Sequence, residues 1–149
     1  MTYKLRELEY KVLSTGSIGN AVRIEDIMID CGISYKRMKS ELNKCRVLFI
    51  THKHYDHLKT RTLEQIRKYH KNIKVIGNYE VAQVVKVDMI AGERGIVNKH
   101  WKINPFYVPH DVVCQGLKIK FNNDIDVIYV TDSRGTDKWI KGKYDYLFI

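Results

Sequence analysis

The spacing of hydrophobic and polar positions changes period along this chain. "YKVLST" and "NAVRIE" alternate apolar and polar residues around the turn "GSIG", which predicts two strands of a hairpin, with "IMID" extending it. From Ser34, an N-cap residue by type, "SYKRMKSELNK" sets Tyr35, Met38 and Leu42 at helical spacing with basic residues on the other face, a surface helix. "RVLFI" is a short apolar run suited to a buried strand. Next, "TRTLEQIRKYH" aligns Leu63, Ile66 and His70 on a helical stripe, "IKVIG" reads as a strand, and "NYEVAQVVKV" as a further helix. From about Gly95 the period becomes that of strands in "KINPFYVPH", "GLKIKFN", "DIDVIYVTD" and "YDYLFI". This order predicts an α/β architecture with mixed sheets covered by helices.

Length and composition narrow the picture. At 149 residues, with 44% hydrophobic and 29% charged residues, the chain is expected to form a single domain over residues 1–149. Cys31, Cys45 and Cys114 are far apart with no Cys-x-x-Cys spacing, so neither a disulfide framework nor a cysteine zinc knuckle is expected, and a reducing, cytoplasmic setting fits. No apolar run approaches the roughly 20 residues of a membrane span. A formal charge of +9 favours anionic partners, nucleic acid among them.

The strand "RVLFI" runs into "THKHYDHLK", where His52, His54, Asp56 and His57 are crowded into six positions. Two residues apart in an extended segment, His52 and His54 project to one side, and Asp56 and His57 follow as the chain turns. Imidazole nitrogens and carboxylate oxygens without thiolate suit zinc, with manganese or iron as alternatives. Two other apolar runs end in similar chemistry, "FYVPHD" at His110 and "VIYVTDSRG" at Asp132. Alone, His110 reads as a loop histidine and Asp132 as a turn residue. Strand C-termini gather at one edge of an α/β sheet, and that shared edge joins both to the cluster.

"HKHYDH" after a buried strand, followed by "VPHD" and "YVTDS", resembles the metallo-β-lactamase superfamily, as does the upstream "STGSIGNAVRIEDIMIDCG". The upstream piece is similar to a branch that includes exonuclease-like proteins and phage enzymes that degrade cyclic nucleotides. The resemblance implies a four-layer αββα sandwich with two divalent metal ions at one edge. By position it assigns His52, His54 and His110 to one metal, Asp56 and His57 to the second, and Asp132 as the bridge; Asp30 reads as orienting the ligand loop or ending a strand rather than binding metal. It also implies a longer chain with a later histidine, so the C-terminal part of the second half is expected to be missing, to be completed by a partner chain or homo-oligomer, or lost. His70 and His100 read as surface or packing residues.

Two cations in such a site would activate a metal-bound hydroxide, with Asp56 as the catalytic carboxylate. Cations beside aromatics in "SYKRMK", "RTLEQIRKYHK", "KHWK" and "DKWIKGK" favour phosphodiesters of nucleic acid as substrate. Lys53 and Tyr55 are placed to flank the mouth. Two alternatives stand beside a nuclease-like hydrolase: a phosphodiesterase for small cyclic nucleotides, and a non-catalytic domain that binds metal or nucleic acid.

Overall fold

The computed structural model describes residues 7–131 and 142–149. Six strands form a first sheet in the order β1 (Tyr10–Ser14), β2 (Ala21–Ile24), β3 (Ile27–Ile29), β4 (Val47–Ile50), β5 (Lys74–Gly77), β6 (Met89–Ile90). The hairpin strands pair antiparallel, and β3, β4, β5 and β6 run parallel to one another. Three helices, α1 (Tyr35–Leu42), α2 (Thr60–Tyr69) and α3 (Tyr79–Val84), lie in the connections. Parallel strands need such crossovers, which place helices over a sheet face.

The second sheet has the order β11 (Tyr146–Phe148), β10 (Asp126–Tyr129), β9 (Cys114–Phe121), β8 (Trp101–Val108), β7 (Ile96–Val97). It is antiparallel apart from the β10–β11 pair. Pro105 falls inside β8, where its missing N–H is tolerated because β7 pairs only with Ile103 and Lys102 and leaves that edge open.

Two apolar layers hold the molecule together. One lies between the sheets, where Ile24, Ile27, Ile29 and Phe49 meet Ile103, Leu117, Ile119 and Val127. The other lies under the helices, where Met28, Leu48 and Ile50 meet Met38, Leu42, Leu63 and Ile66. A smaller cluster, Val108, Cys114, Ile128 and Val130 with Phe106 and Tyr144, lies outside both. Mixed sheets packed face to face with helices over the first make the expected sandwich less one layer, since no helix among the described residues covers the second sheet. No helix among the described residues is long and apolar enough to cross a membrane.

Some local expectations hold and others need correction. Ser34 occupies the N-cap of α1, yet its side chain makes no capping bond. Asn78 does cap α3, accepting from the Glu80 and Val81 N–H groups. That helix stops at Val84, short of the "NYEVAQVVKV" pattern, since β-branched Val84, Val85 and Val87 favour extended backbone. The two-residue strands β6 and β7 leave no periodic signal. His70 is a packing residue, buried at the end of α2 and joined to the Tyr35 hydroxyl at 2.9 Å. His100 is half-buried, 3.0 Å from Arg46 Nη1.

Candidate metal centre

β3, β4 and β5 end at the same edge of the first sheet, and the chain leaving β4 forms the ligand loop. Several backbone bonds hold that loop down. Cys31 N–H donates to His57 C=O at 2.9 Å, Lys59 N–H to Cys31 C=O at 3.0 Å, and Asn20 N–H to Asp56 C=O at 2.7 Å. Gly32 is required for this approach, because a Cβ there would sit 1.7 Å from the Asp56 carbonyl oxygen. From the second sheet, Gln115 N–H reaches Thr51 C=O at 3.0 Å, and the Asn78 amide bridges Thr51 C=O and Val113 C=O at 3.2 and 2.9 Å. The start of β9 is thereby tied to the start of the ligand loop.

Beneath the loop lies a fully buried carboxylate. Asp30 takes a left-handed backbone conformation, φ 67°, which aspartate tolerates better than bulkier residues. It accepts from Thr51 N–H at 2.8 Å and from the Thr51 hydroxyl at 2.9 and 3.0 Å, and its Oδ2 lies 2.6 Å from His57 Nδ1. Because the Thr51 hydroxyl donates to Asp30, its oxygen accepts from His52 Nδ1, 2.8 Å away. One carboxylate thus fixes the tautomer of two imidazoles, directly for His57 and through Thr51 for His52, and both are left to present Nε2 as a lone pair.

His52, His54 and His110 each offer a nitrogen, and all three nitrogens lie within 4.8 Å of one another. The His54 Nδ1 to His110 Nε2 distance of 3.1 Å is close to the roughly 3.4 Å edge of a tetrahedral site with metal–nitrogen bonds of about 2.1 Å. Burial pushes His52 down to about 3, and the neighbouring imidazoles oppose its protonation further, against the pull of Asp30. The ring is therefore neutral near pH 7, the form a metal ligand requires. Nitrogen donors, a fixed tautomer and a neutral ring fit a divalent ion such as zinc.

Asp56 and His57 stand beside this trio. The His57 ring centroid is 4.0 Å from that of His52, and His57 Nε2 is 3.6 Å from Asp56 Oδ2. Asp132 lies outside the described residues. Among the described residues, then, one three-ligand group has formed, with the two residues assigned to a second ion adjacent to it.

Four further residues belong to the site. The Asn20 amide donates to Asp56 C=O at 3.1 Å and to Asp56 Oδ2 at 3.4 Å, and lies 3.1 Å from His57 Nε2. Thr51 relays Asp30 to His52. Cys114 Sγ is 3.4 Å from His52 Nδ1, and Asp111 Oδ1 is 3.4 Å from His54 Nε2 and 3.3 Å from His110 Nε2. Only Asn20 and Asp111 carried a signal, as the polar residues closing "GSIGN" and following "VPH". At the mouth, Tyr55 is 72% exposed with Lys59 Nζ 5.3 Å from its ring centre, while Lys53 pairs with Glu80 at 3.3 Å.

Residues 25–121 match the family model described as a beta-lactamase superfamily domain. No curated protein sequence matches the chain. Among solved structures, the metallo-beta-lactamase fold protein YhfI from Bacillus subtilis is similar with a TM-score of 0.76 and 17% identity, over 94% of this chain and 69% of that one. Human short-form tRNase Z is similar with a TM-score of 0.65 and 15% identity, over 85% of this chain and 70% of that one. A diphosphatase of the PhnP family gives 0.67 and 16%, over 89% of this chain and 59% of that one. These likenesses are of fold, and the chain spans between 59% and 70% of the three solved chains.

Proposed function

The chain belongs to the beta-lactamase superfamily, and from that premise we propose that it is a metal-dependent hydrolase cutting phosphodiester bonds of nucleic acid. The observation that carries this reading is the meeting of His52, His54 and His110, from two segments more than fifty residues apart, with their nitrogens within 4.8 Å of one another. A divalent ion bound there supplies Lewis acidity and a water of lowered pKa.

The chain's own residues do the rest. His52, His54 and His110 hold the ion, and Asp56 and His57 are assigned to a second, with Asp132 assigned by the family pattern to bridge the two. Asp30 and Thr51 keep the imidazoles aimed, so little reorganisation is needed when the site is loaded. Asp56, held by the Asn20 amide, is the carboxylate positioned to orient the attacking group and accept its proton. Lys53, Tyr55 and Lys59 at the mouth offer cations and an aromatic face to an anionic ester.

The names of two relatives in fold support this choice: human short-form tRNase Z, and a diphosphatase of the PhnP family. The test is turnover of a chromogenic phosphodiester and a short oligonucleotide by zinc- or manganese-loaded protein, with His54→Ala as control. Hydrolysis that His54→Ala abolishes is expected. Bound metal without turnover of either substrate would overturn the proposal.

A further inference from the structure

The positive charge of this chain is concentrated in one part of it. Residues 34–74, which supply α1, β4, the ligand loop and α2, contain twelve Lys and Arg against three Asp and Glu, a surplus equal to the +9 of the whole chain. The rest of the sequence is therefore balanced. Of the three acids, Glu41 is buried against Arg23 and Asp56 belongs to the site, which leaves Glu64 as the exposed acid on the two helices. Lys36, Lys39, Arg61, Lys68 and Lys71 are all exposed.

A groove runs between the same helices. Tyr35, Lys39 and Asn43 recur every fourth residue along α1 and its cap, and Gln65 and Tyr69 do so on α2, so each set lines up along its helix toward the other. With His70 they line a cavity of about 500 Å³. Tyr35 and Tyr69 stack with ring centres 5.7 Å apart and planes at 30°, and Lys68 Nζ lies 5.2 Å from the Tyr69 ring centre. The Tyr35 hydroxyl meets His70 at 2.9 Å, which fixes the inner ring, while Tyr69 remains 59% exposed. An aromatic platform and two side-chain amides, with Lys39 in the lining and Lys68 against the outer ring, make a combination that packing alone does not require.

We infer that this groove docks single-stranded nucleic acid, an unpaired base stacking on Tyr69, Asn43 and Gln65 meeting base edges, and Lys39 and Lys68 meeting phosphates. The inference rests on the phosphodiesterase reading and deepens it, because it makes the substrate a polymer rather than a cyclic mononucleotide. α2 begins directly after the ligand loop and its ten residues span about 15 Å, so a strand of a few nucleotides seated on Tyr69 passes Arg61 on its way to the histidines. An anionic membrane is the poorer fit: the aromatic rings line a concave groove between amides instead of forming the apolar face that enters a bilayer surface.

The test pairs two measurements on the full chain. One is fluorescence anisotropy of a labelled single strand of about twelve nucleotides, in chelator so that it is not cut, across a salt series. The other is turnover of a small chromogenic phosphodiester by metal-loaded protein. Tyr69→Ala is expected to weaken strand binding about tenfold and Tyr69→Phe to restore it. Lys39→Gln is expected to lower the salt slope by about 0.7. All three variants are expected to turn over the small ester as the parent does. Strand affinity within twofold of the parent for both Tyr69→Ala and Lys39→Gln overturns the inference, as does loss of binding to phosphatidylserine vesicles with strand binding intact. If the parent never turns over the small ester while Tyr69→Ala still loses strand affinity, the hydrolase reading falls and the groove stands.

Discussion

Two buried ionic clusters lie on the first sheet, and they are built to different ends. In one, Arg23 of β2 points under α1, donating to Glu41 Oε2 at 2.7 Å, Glu25 C=O at 2.7 Å and Glu9 Oε1 at 3.0 Å. Lys11 and Lys44 complete it at 3.5 and 3.7 Å from Glu41. Each charge there is answered by another within the cluster. In the other, Asp30 spends its oxygens on Thr51 and His57 and so turns His52 toward His54 and His110, and His57 toward Asn20 and Asp56. Burial and charge are common to both. The difference lies in direction: one closes on itself, and the other sits at strand C-termini with donor atoms facing an open edge. A buried charge therefore marks a site only when its partners point beyond it.

That contrast can be broken by mutation. The largest expected loss of stability is for Arg23→Met, which leaves Glu41 buried with weaker partners and costs about 3–5 kcal/mol in urea unfolding. Zinc affinity of the folded variant should be unchanged. Asp30→Ala strips the acceptor from Thr51 N–H and His57, for about 2–4 kcal/mol, and should also lower zinc affinity by about 10–100-fold through loss of imidazole aim. His54→Ala should do the reverse of Arg23→Met. Its side chain is 33% exposed, so stability of the metal-free protein should move by no more than about 0.5 kcal/mol while zinc affinity falls by more than the roughly 100-fold expected of an outer partner. Isothermal titration with zinc, run beside each unfolding curve, separates the three.

The smallest effect is on pH dependence. Burial alone would raise the Glu41 carboxyl, but the hydrogen bond and charge of Arg23, with Lys44 and Lys11, hold it below its ordinary 4.5. Its folded value lies under its unfolded one, so the unfolded chain takes up the proton first as acid is added. The stabilisation is complete above the ordinary value and is lost as pH falls through the lowered one. Glu41→Gln should flatten that part of the acid unfolding profile measured in chelator, and an unchanged slope would place the pH dependence elsewhere.

How far these clusters could be read from sequence follows from the distance between partners. Strands β2 to β5 and helices α1 and α2 repeat their apolar residues often enough to show, and the ligand loop is a compact run of rare residue types. His110 was legible because "FYVPH" ends a strand at the expected edge. Thr51 carried no signal and Asn20 only a place in a motif, since neither can be given a role until Asp30, 21 residues from Thr51, and Asp56, 36 residues from Asn20, are placed against them. Arg23 was hidden in another way. The alternation of "NAVRIE" suits a strand with one polar face, yet all four residues of β2 are buried because α1 covers that face and supplies Glu41.

The account depends most on histidines of separate segments sharing one ion, and His110 is the distant member. Zinc titration of His110→Ala beside the parent, with X-ray absorption at the zinc edge, tests this directly. The parent should bind at least one equivalent with imidazole nitrogens at about 2.0–2.1 Å, and the variant should lose one such nitrogen and at least about 100-fold in affinity. Equal affinity with an unchanged nitrogen shell would contradict it.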